Sequence, residues 1–288
     1  MENQVALETT VMTHGLPSPI NLQVMRDMMS AIRAVGPDPC PIAIIRGRPV
    51  VKVPEDELER LAQASDVRKC SLRDLPIIGN TLEDGGTTVS STLFLALRAG
   101  IQVFATGGIG GVHRGEKADV SADLPALATL PGTVVCSGAK SILDLPKTVE
   151  RLETDGVTVL GYQTDEFPAF TCRESGLPVD HRVDNPQAVA EIIQARDALG
   201  LRTGILVCVP CPSASALTPS ELETGLALAR ENAERSQISG KALTPFLLDE
   251  LARNTRGKSL AANLALLKNN ARIAAEIQSA FFKGSVPS

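Results

Sequence analysis

Short apolar runs alternate with stretches of helical period along most of the chain. Val5-Ala6-Leu7, Ile101 to Ala105, Thr133 to Cys136, Val157 to Leu160 and Gly204 to Val209 are brief and apolar, mostly rich in β-branched residues, and read as strands. Pro41 to Val53 reads as a further strand or a hairpin, with Ile42 to Ile45 on one arm. Leu22, Met25, Met28, Met29 and Ile32 recur at helical spacing after Pro17 and Pro19, and Pro54 to Ala64 reads as a charged helix. Gly85-Gly86-Thr87-Thr88 is expected to open an apolar helix that runs to Leu97 and is closed by Gly100. This alternation predicts an α/β fold, a mostly parallel sheet with helices on both faces. From Thr218 to Phe282 the pattern is almost wholly helical, with capping signals at Thr218-Pro219-Ser220-Glu221 and at Thr244-Pro245. No repeat, low-complexity tract or linker interrupts it, so residues 1–288 are expected to form one domain with a helical C-terminal region.

Composition narrows the function classes. The chain carries 28 Lys and Arg against 33 Asp and Glu, a net charge of -5, which argues against nucleic acid as a partner because backbone binding needs a basic face. Aromatics make up 3% of residues, with no Trp, too few for a base-stacking platform. No apolar run approaches the ~20 residues needed to cross a bilayer, so no membrane role is expected. Met1-Glu2-Asn3-Gln4 has neither the basic nor the apolar region of a signal peptide, and six irregularly spaced Cys read as buried thiols, so a cytoplasmic setting is expected.

Several segments could carry chemistry. Thr106 to Gly111 is a glycine-dense loop at the end of a strand, the edge where open α/β sheets bind ligands. It is not a dinucleotide fingerprint, since His113 stands where the third glycine belongs. Asp119, Ser121 and Asp123 place oxygens at alternate positions, which suits a solvated turn or a hard cation such as Mg²⁺ or Mn²⁺. An EF-hand is excluded by Leu124 and Leu130. Lys140 follows an apolar strand and a small-residue turn. It reads as a surface group or as a nucleophilic amine, which needs burial or a second cation such as Lys69 to be active. Glu8 ends the first strand as an edge charge or a general acid or base. His14 reads as a turn residue, and Cys208-Val209-Pro210-Cys211 as packing rather than a redox pair.

In series, these segments resemble the pseudouridine-5′-phosphate glycosidases (pseudouridylate synthases) of the indigoidine-synthase-A-like group. The matching stretches are Val5 to Thr10, Thr13 to Pro17 with Pro19 and Asn21, Arg73 to Pro76, and Gly86 to Val89 with Ser91-Thr92. They continue through Val103 to Gly115, Asp119 to Leu124, Val134 to Leu145, Leu160 to Thr164 and Phe167 to Phe170, and end with Thr244 to Leu248, Asn263 and Asn269-Asn270. The resemblance implies a three-layer α/β/α fold, usually trimeric. It implies Glu8 as proton donor, Lys140 as nucleophile, Lys69 as a second active-site lysine and Asp119 as the ligand of a divalent cation, normally Mn²⁺. Val89, Ser121, Ala122 and Asp123 match substrate-contacting positions, and Thr106, His113 and Asn263 fall where the family lines the same pocket.

The implied reaction is reversible cleavage of pseudouridine 5′-phosphate to uracil and ribose 5-phosphate. A C-glycoside has no leaving oxygen to protonate, so the two-carboxylate strategy of ordinary glycosidases suits it poorly. Opening the ribose with Glu8 and capturing C1′ on Lys140 instead lets the carbon–carbon bond break in a reverse-Mannich sense, with Asp123 as a proton shuttle. The start of the helix expected after Gly85 offers amides and Thr hydroxyls to the 5′-phosphate. Three departures stand out: a chain that starts almost at Glu8, without the N-terminal lead common in the family; a shorter connection from Arg114 to Asp119; and Val209-Pro210-Cys211-Pro212 where the family has Asn-Pro-Ile-Pro. The last of these matters most, and touches a pocket wall or local packing. It keeps open a rival, a C-glycosynthase joining ribose 5-phosphate to another carbon nucleophile. A non-catalytic sugar-phosphate-binding protein is the next alternative.

Overall fold

Successive residues of the first strand, β1 (Gln4–Glu8), point to opposite sides of a sheet, and each side joins a different apolar core. Val5 and Leu7 enter one core and Ala6 the other. Burial on both faces is why these strands read as continuous apolar runs. The computed structural model describes residues 2–114, 119–238 and 243–285. Gly115, which ends one matching stretch, and the side chain of Thr244 lie outside the described residues.

After β1 come α1 (Thr10–Thr13), α2 (Ile20–Val35), the hairpin β2 (Asp38–Ile45) and β3 (Arg48–Val51), and α3 (Glu55–Gln63). Then follow β4 (Arg68–Cys70), α4 (Leu75–Thr81), β5 (Gly85–Thr87), α5 (Val89–Arg98), β6 (Val103–Ala105), α6 (Asp123–Thr129) and β7 (Thr133–Cys136). The chain continues with α7 (Leu145–Thr154), β8 (Thr158–Tyr162), β9 (His181–Val183), α8 (Pro186–Ala198) and β10 (Ile205–Cys208). It ends in α9 (Pro219–Arg235), α10 (Leu243–Asn254) and α11 (Lys258–Ser285). The described residues form a ten-stranded sheet in the order β4-β5-β2-β1-β6-β7-β10-β8-β9, with β3 beside β2. From β2 to β9 every neighbouring pair along this order is parallel, and only the pairs β2–β3 and β2–β5 run antiparallel.

One core holds side chains of α2, α3, α8 and α11, and the other those of α4, α5, α6, α7, α9 and α10. The fold is therefore the expected three-layer α/β/α arrangement. The helix α11 packs against α2 and α8 and buries Leu266, Leu267, Ile273, Ile277 and Phe281. Each such side chain contributes about 1.5–3 kcal/mol by leaving water. At Thr218 the capping box forms as expected, the hydroxyl accepting from the Glu221 amide at 3.2 Å and the Glu221 carboxylate accepting from the Thr218 amide at 3.0 Å.

One expectation is corrected: Gly85 to Thr87 is a strand, and the helix starts only at Val89. The Thr9 and Thr87 hydroxyls both donate to the Ile42 carbonyl, at 2.8 and 2.6 Å, and the Thr87 amide donates to the Thr9 hydroxyl at 3.1 Å. This buried threonine network fastens β5 to β2 and to the end of β1, so side-chain bonding overrides the local pattern.

Candidate active site

Glu8 is the last residue of β1 and only 5% exposed. Thr106, immediately after the neighbouring strand β6, donates its hydroxyl to the Glu8 carboxylate. Burial pushes the Glu8 carboxyl above the ordinary value of 4.5. The positive charge of Lys140 and the Thr106 hydrogen bond oppose that rise, Asp123 adds to it, and Lys69 opposes it least. A raised pKa is the direction that favours proton donation.

Past the ends of β6 and β7 the two chains stay bonded to each other. The Ser137 amide donates to the Gly107 carbonyl at 2.8 Å, the Ile109 amide to Gly138 at 3.0 Å and the Lys140 amide to Ile109 at 3.1 Å. Gly138 turns this ribbon with φ +73°, and a Cβ there would lie 2.1 Å from the Pro168 carbonyl oxygen, so only glycine fits. Half-buried Lys140 is thus mounted on hydrogen-bonded main chain beside Glu8, rather than on a free loop.

Asp123 begins α6 and is also 5% exposed. One carboxylate oxygen accepts the Ser90 amide at 3.0 Å and the other the Gly110 amide at 2.8 Å. The approach is close: a Cβ on Gly110 would sit 2.2 Å from the Ser121 hydroxyl oxygen and 2.9 Å from the carboxylate. Ser121 accepts the Asp123 amide at 3.2 Å, and Ala122 caps the helix. Val89, buried, precedes the Ser90 whose amide is used. The expected phosphate contact at residues 85–89 shares its helix start with this carboxylate, since the Ser90 amide in the first turn of α5 is taken by Asp123.

Lys69 is exposed on β4, three strands from β1 in the sheet order. Burial and the Lys69 charge together lower the His14 imidazole below its ordinary value of 6.5, and the Val67 carbonyl opposes them. His14 shares a hydrogen bond of 2.7 Å with the Thr13 hydroxyl. It also lines a cavity of about 320 Å³ with Leu16, Phe170, Leu248 and Asn263. The walls of that cavity include Asn263 but none of Glu8, Lys69, Asp123 or Lys140. Phe170 joins the two places, lining the cavity while packing on Gly107 and Gly108. His14 and Phe170 are wall residues that spacing alone does not reveal; the only trace was that both fall inside matching stretches. Val209 is buried in the core and bonds its amide to the Cys136 carbonyl at 2.7 Å. All six cysteines are free and buried.

His113 is half-buried, and its amide donates to the carbonyl of exposed Asp119 at 2.9 Å. Among the described residues no group of three His, Cys, Asp or Glu gathers to hold a metal. A single exposed carboxylate fits only a hard cation that keeps most of its water.

An acid, an amine and an anchored carboxylate at the carboxyl ends of parallel strands give an α/β protein with the layout of a catalytic centre. The chain belongs to the indigoidine synthase A like family, whose model matches residues 2–280. It is 50% identical over 275 residues to a pseudouridine-5′-phosphate glycosidase of Methylobacterium nodulans, covering 95% of this chain and 82% of that protein. A protein of the same name from Caldanaerobacter subterraneus is 49% identical, covering 95% and 90%. Among solved structures, an indigoidine synthase A-like protein of Thermotoga maritima matches with a TM-score of 0.90 at 37% identity, covering 96% of this chain and 94% of that one. The prealnumycin C-glycosynthase AlnA, in complex with ribulose 5-phosphate, matches with a TM-score of 0.90 at 36% identity, covering 97% and 92%.

Proposed function

We propose that this protein reversibly cleaves the C-glycosidic bond of pseudouridine 5′-phosphate to uracil and ribose 5-phosphate. The observation that carries the reading is Glu8, buried, bonded to Thr106 and within the field of Lys140. Relatives near 50% identity that bear this activity in their names support it. Glu8 gives its proton to the ribose ring oxygen as the C1′–O4′ bond opens. Lys140 first gives its ammonium proton to solvent, its nitrogen then forms a bond to C1′, and Asp123 takes the further proton that the nitrogen sheds. The nitrogen lone pair then forms a C=N bond while the C1′–C5 bond breaks, and the electron pair stays on uracil C5. That carbon receives the proton from Asp123. One water hydrolyses the iminium, releasing ribose 5-phosphate and the lysine.

Lys69 supplies a second positive charge near this centre, and Asn263 faces the base from the cavity wall, with Val89, His113, Ser121 and Ala122 in the substrate-facing segments. Asp119 would hold a divalent cation, Mn²⁺ by preference, which supplies positive charge for the substrate's anionic groups when bound. The assembly is proposed as a homotrimer, checked by light scattering. Six free, buried thiols suit the reducing cytoplasm, and among the described residues no helix is long and apolar enough to cross a membrane.

The test is uracil release from pseudouridine 5′-phosphate with added Mn²⁺, alongside Lys140→Ala and Glu8→Ala. Release by the wild type and loss in both variants is expected. A folded wild type that releases no uracil overturns the reading. The match to a C-glycosynthase supports a second reading, in which ribose 5-phosphate is joined to a different carbon nucleophile. Borohydride trapping of ribose 5-phosphate on Lys140 without any coupling to uracil would favour it.

A further inference from the structure

The C-terminal helix reaches the catalytic edge through one fully buried amide. Asn270 of α11 is 0% exposed. Its Nδ2 donates to the Thr106 carbonyl at 2.9 Å, to the Gly107 carbonyl at 3.4 Å and to the Ser137 hydroxyl at 3.1 Å. The Ser137 hydroxyl also lies 3.4 Å from Asn270 Oδ1, so the two side chains can exchange donor and acceptor. Thr106 and Gly107 open the turn after β6, while Ser137 opens the turn after β7 that leads to Lys140. One side chain therefore spans both arms of the ribbon at its root, next to the hydroxyl that bonds Glu8.

We propose that Asn270 is a positioning residue: it locks the turn after β6 to the turn after β7, and so holds the Thr106 hydroxyl on Glu8 and the Lys140 segment in register with it. A buried amide that lost its partners would be costly, so the bridge has one low-energy arrangement and is rigid for the same reason. Without it the Thr106 carbonyl is left unpaired in the core and the turn relaxes to find a donor. The Thr106 hydroxyl then leaves the Glu8 carboxylate. The charged groups facing Glu8 are Lys140 after β7, Asp123 at the head of α6 and Lys69 on β4. None of them touches Asn270, so its effect on Glu8 runs through Thr106.

This inference rests on Glu8 as the acid of the proposed reaction, and its test does not depend on turnover. The Glu8 carboxyl is titrated by difference infrared spectroscopy in the wild type, Thr106→Val, Asn270→Ala, Asn270→Ser and the Thr106→Val/Asn270→Ala double variant. The Thr106 bond lowers the Glu8 pKa, so its loss should move the titration to higher pH in every variant. The double variant should move no further than Thr106→Val alone. Ile277→Ala, which opens a cavity two turns further along the same helix, should lower Tm and leave the titration in place. In turnover, Asn270→Ala should lose about 10–100-fold in kcat through misplaced reacting groups. KM should stay within about twofold, since the substrate's own contacts are kept. Should Asn270→Ala fail to fold, Ser137→Ala removes the β7 half of the bridge and should move the titration in the same direction by less. Folded Asn270 variants whose Glu8 titrates as in the wild type, or a double variant whose shift is the sum of the two, would overturn the proposal. A wild type inactive on pseudouridine 5′-phosphate would sink the reaction assigned above and leave this titration standing.

Discussion

The end of β1 and the head of α6 each bury a carboxylate to the same degree, 5% exposed, and treat it in opposite ways. Around Glu8 the chain offers one hydroxyl donor in a desolvated corner, so burial dominates and the acid form is favoured. Around Asp123 it offers two main-chain amides, one to each oxygen. Bonds from rigid main chain fix the orientation of that carboxylate. Equal burial thus gives a carboxyl with a raised pKa in one place and a carboxylate of fixed orientation in the other, and the number and kind of donors differ between them. The fixed charge of Asp123 also acts on Glu8 and helps keep it protonated.

That contrast can be broken from either side. The largest effect should come from Glu8→Gln, which keeps the shape and removes the proton: a loss of about 10²–10⁴-fold in kcat is expected. The same variant has a stability signature. The folded Glu8 pKa is raised, so the group supports the fold below its unfolded value of 4.5 and that support is lost as pH rises towards the folded pKa. Melting curves should therefore show Glu8→Gln gaining on the wild type as pH rises above 4.5, and a gap that shrinks with rising pH would contradict the assignment. Next, Asp123→Asn turns an amide donor towards a main-chain N–H, costing about 1–3 kcal/mol in denaturant unfolding. It also removes the charge that raises Glu8, so the alkaline limb of the residual kcat/KM, itself lowered by the loss of the proton shuttle, should move to lower pH. Gly110→Ala presses on the same carboxylate from outside and should cost about 1–3 kcal/mol through overpacking. Smallest is Thr106→Val, at about 1 kcal/mol, but its limb should move to higher pH. Opposite signs for Thr106→Val and Asp123→Asn are the sharpest check, because general destabilisation moves neither limb.

Much of this arrangement was legible in the residue order. Apolar runs buried on both faces gave β1, β2, β7, β8 and β10, since a parallel sheet covered by helices leaves no polar alternation to confuse them. The strands β4 and β9 were not visible, as Arg68–Cys70 and His181–Val183 are three residues each, with charged or polar positions at the sheet's outer edges. Residues 85–88 read as a helix start because Thr88 does cap α5, in a capping box with Ser91; the threonine network that makes 85–87 a strand is set by residues 9, 42 and 87, far apart in sequence. The positions of Glu8, Lys140 and Asp123 at strand and helix ends were readable. Their environments were not, because each depends on a donor from another element: Thr106, Gly110 and Ser90. The Cys208–Cys211 spacing was resolved as packing. The Cys208 side chain enters one core, and Cys211, beyond Pro210, enters the other and bonds the Ala262 carbonyl.

The cavity walls and the reacting groups come from separate stretches of chain: residues 13–17, 170–171 and 245–263 on one side, and the ends of β1, β6 and β7 with the head of α6 on the other. On the function proposed above, fit and reactivity can therefore drift apart by substitution. A lineage could remodel what it accepts by exchanging wall residues while inheriting its acid and amine intact, and a designer who transplants the wall segments from one relative to another could change the acceptor without rebuilding the chemistry.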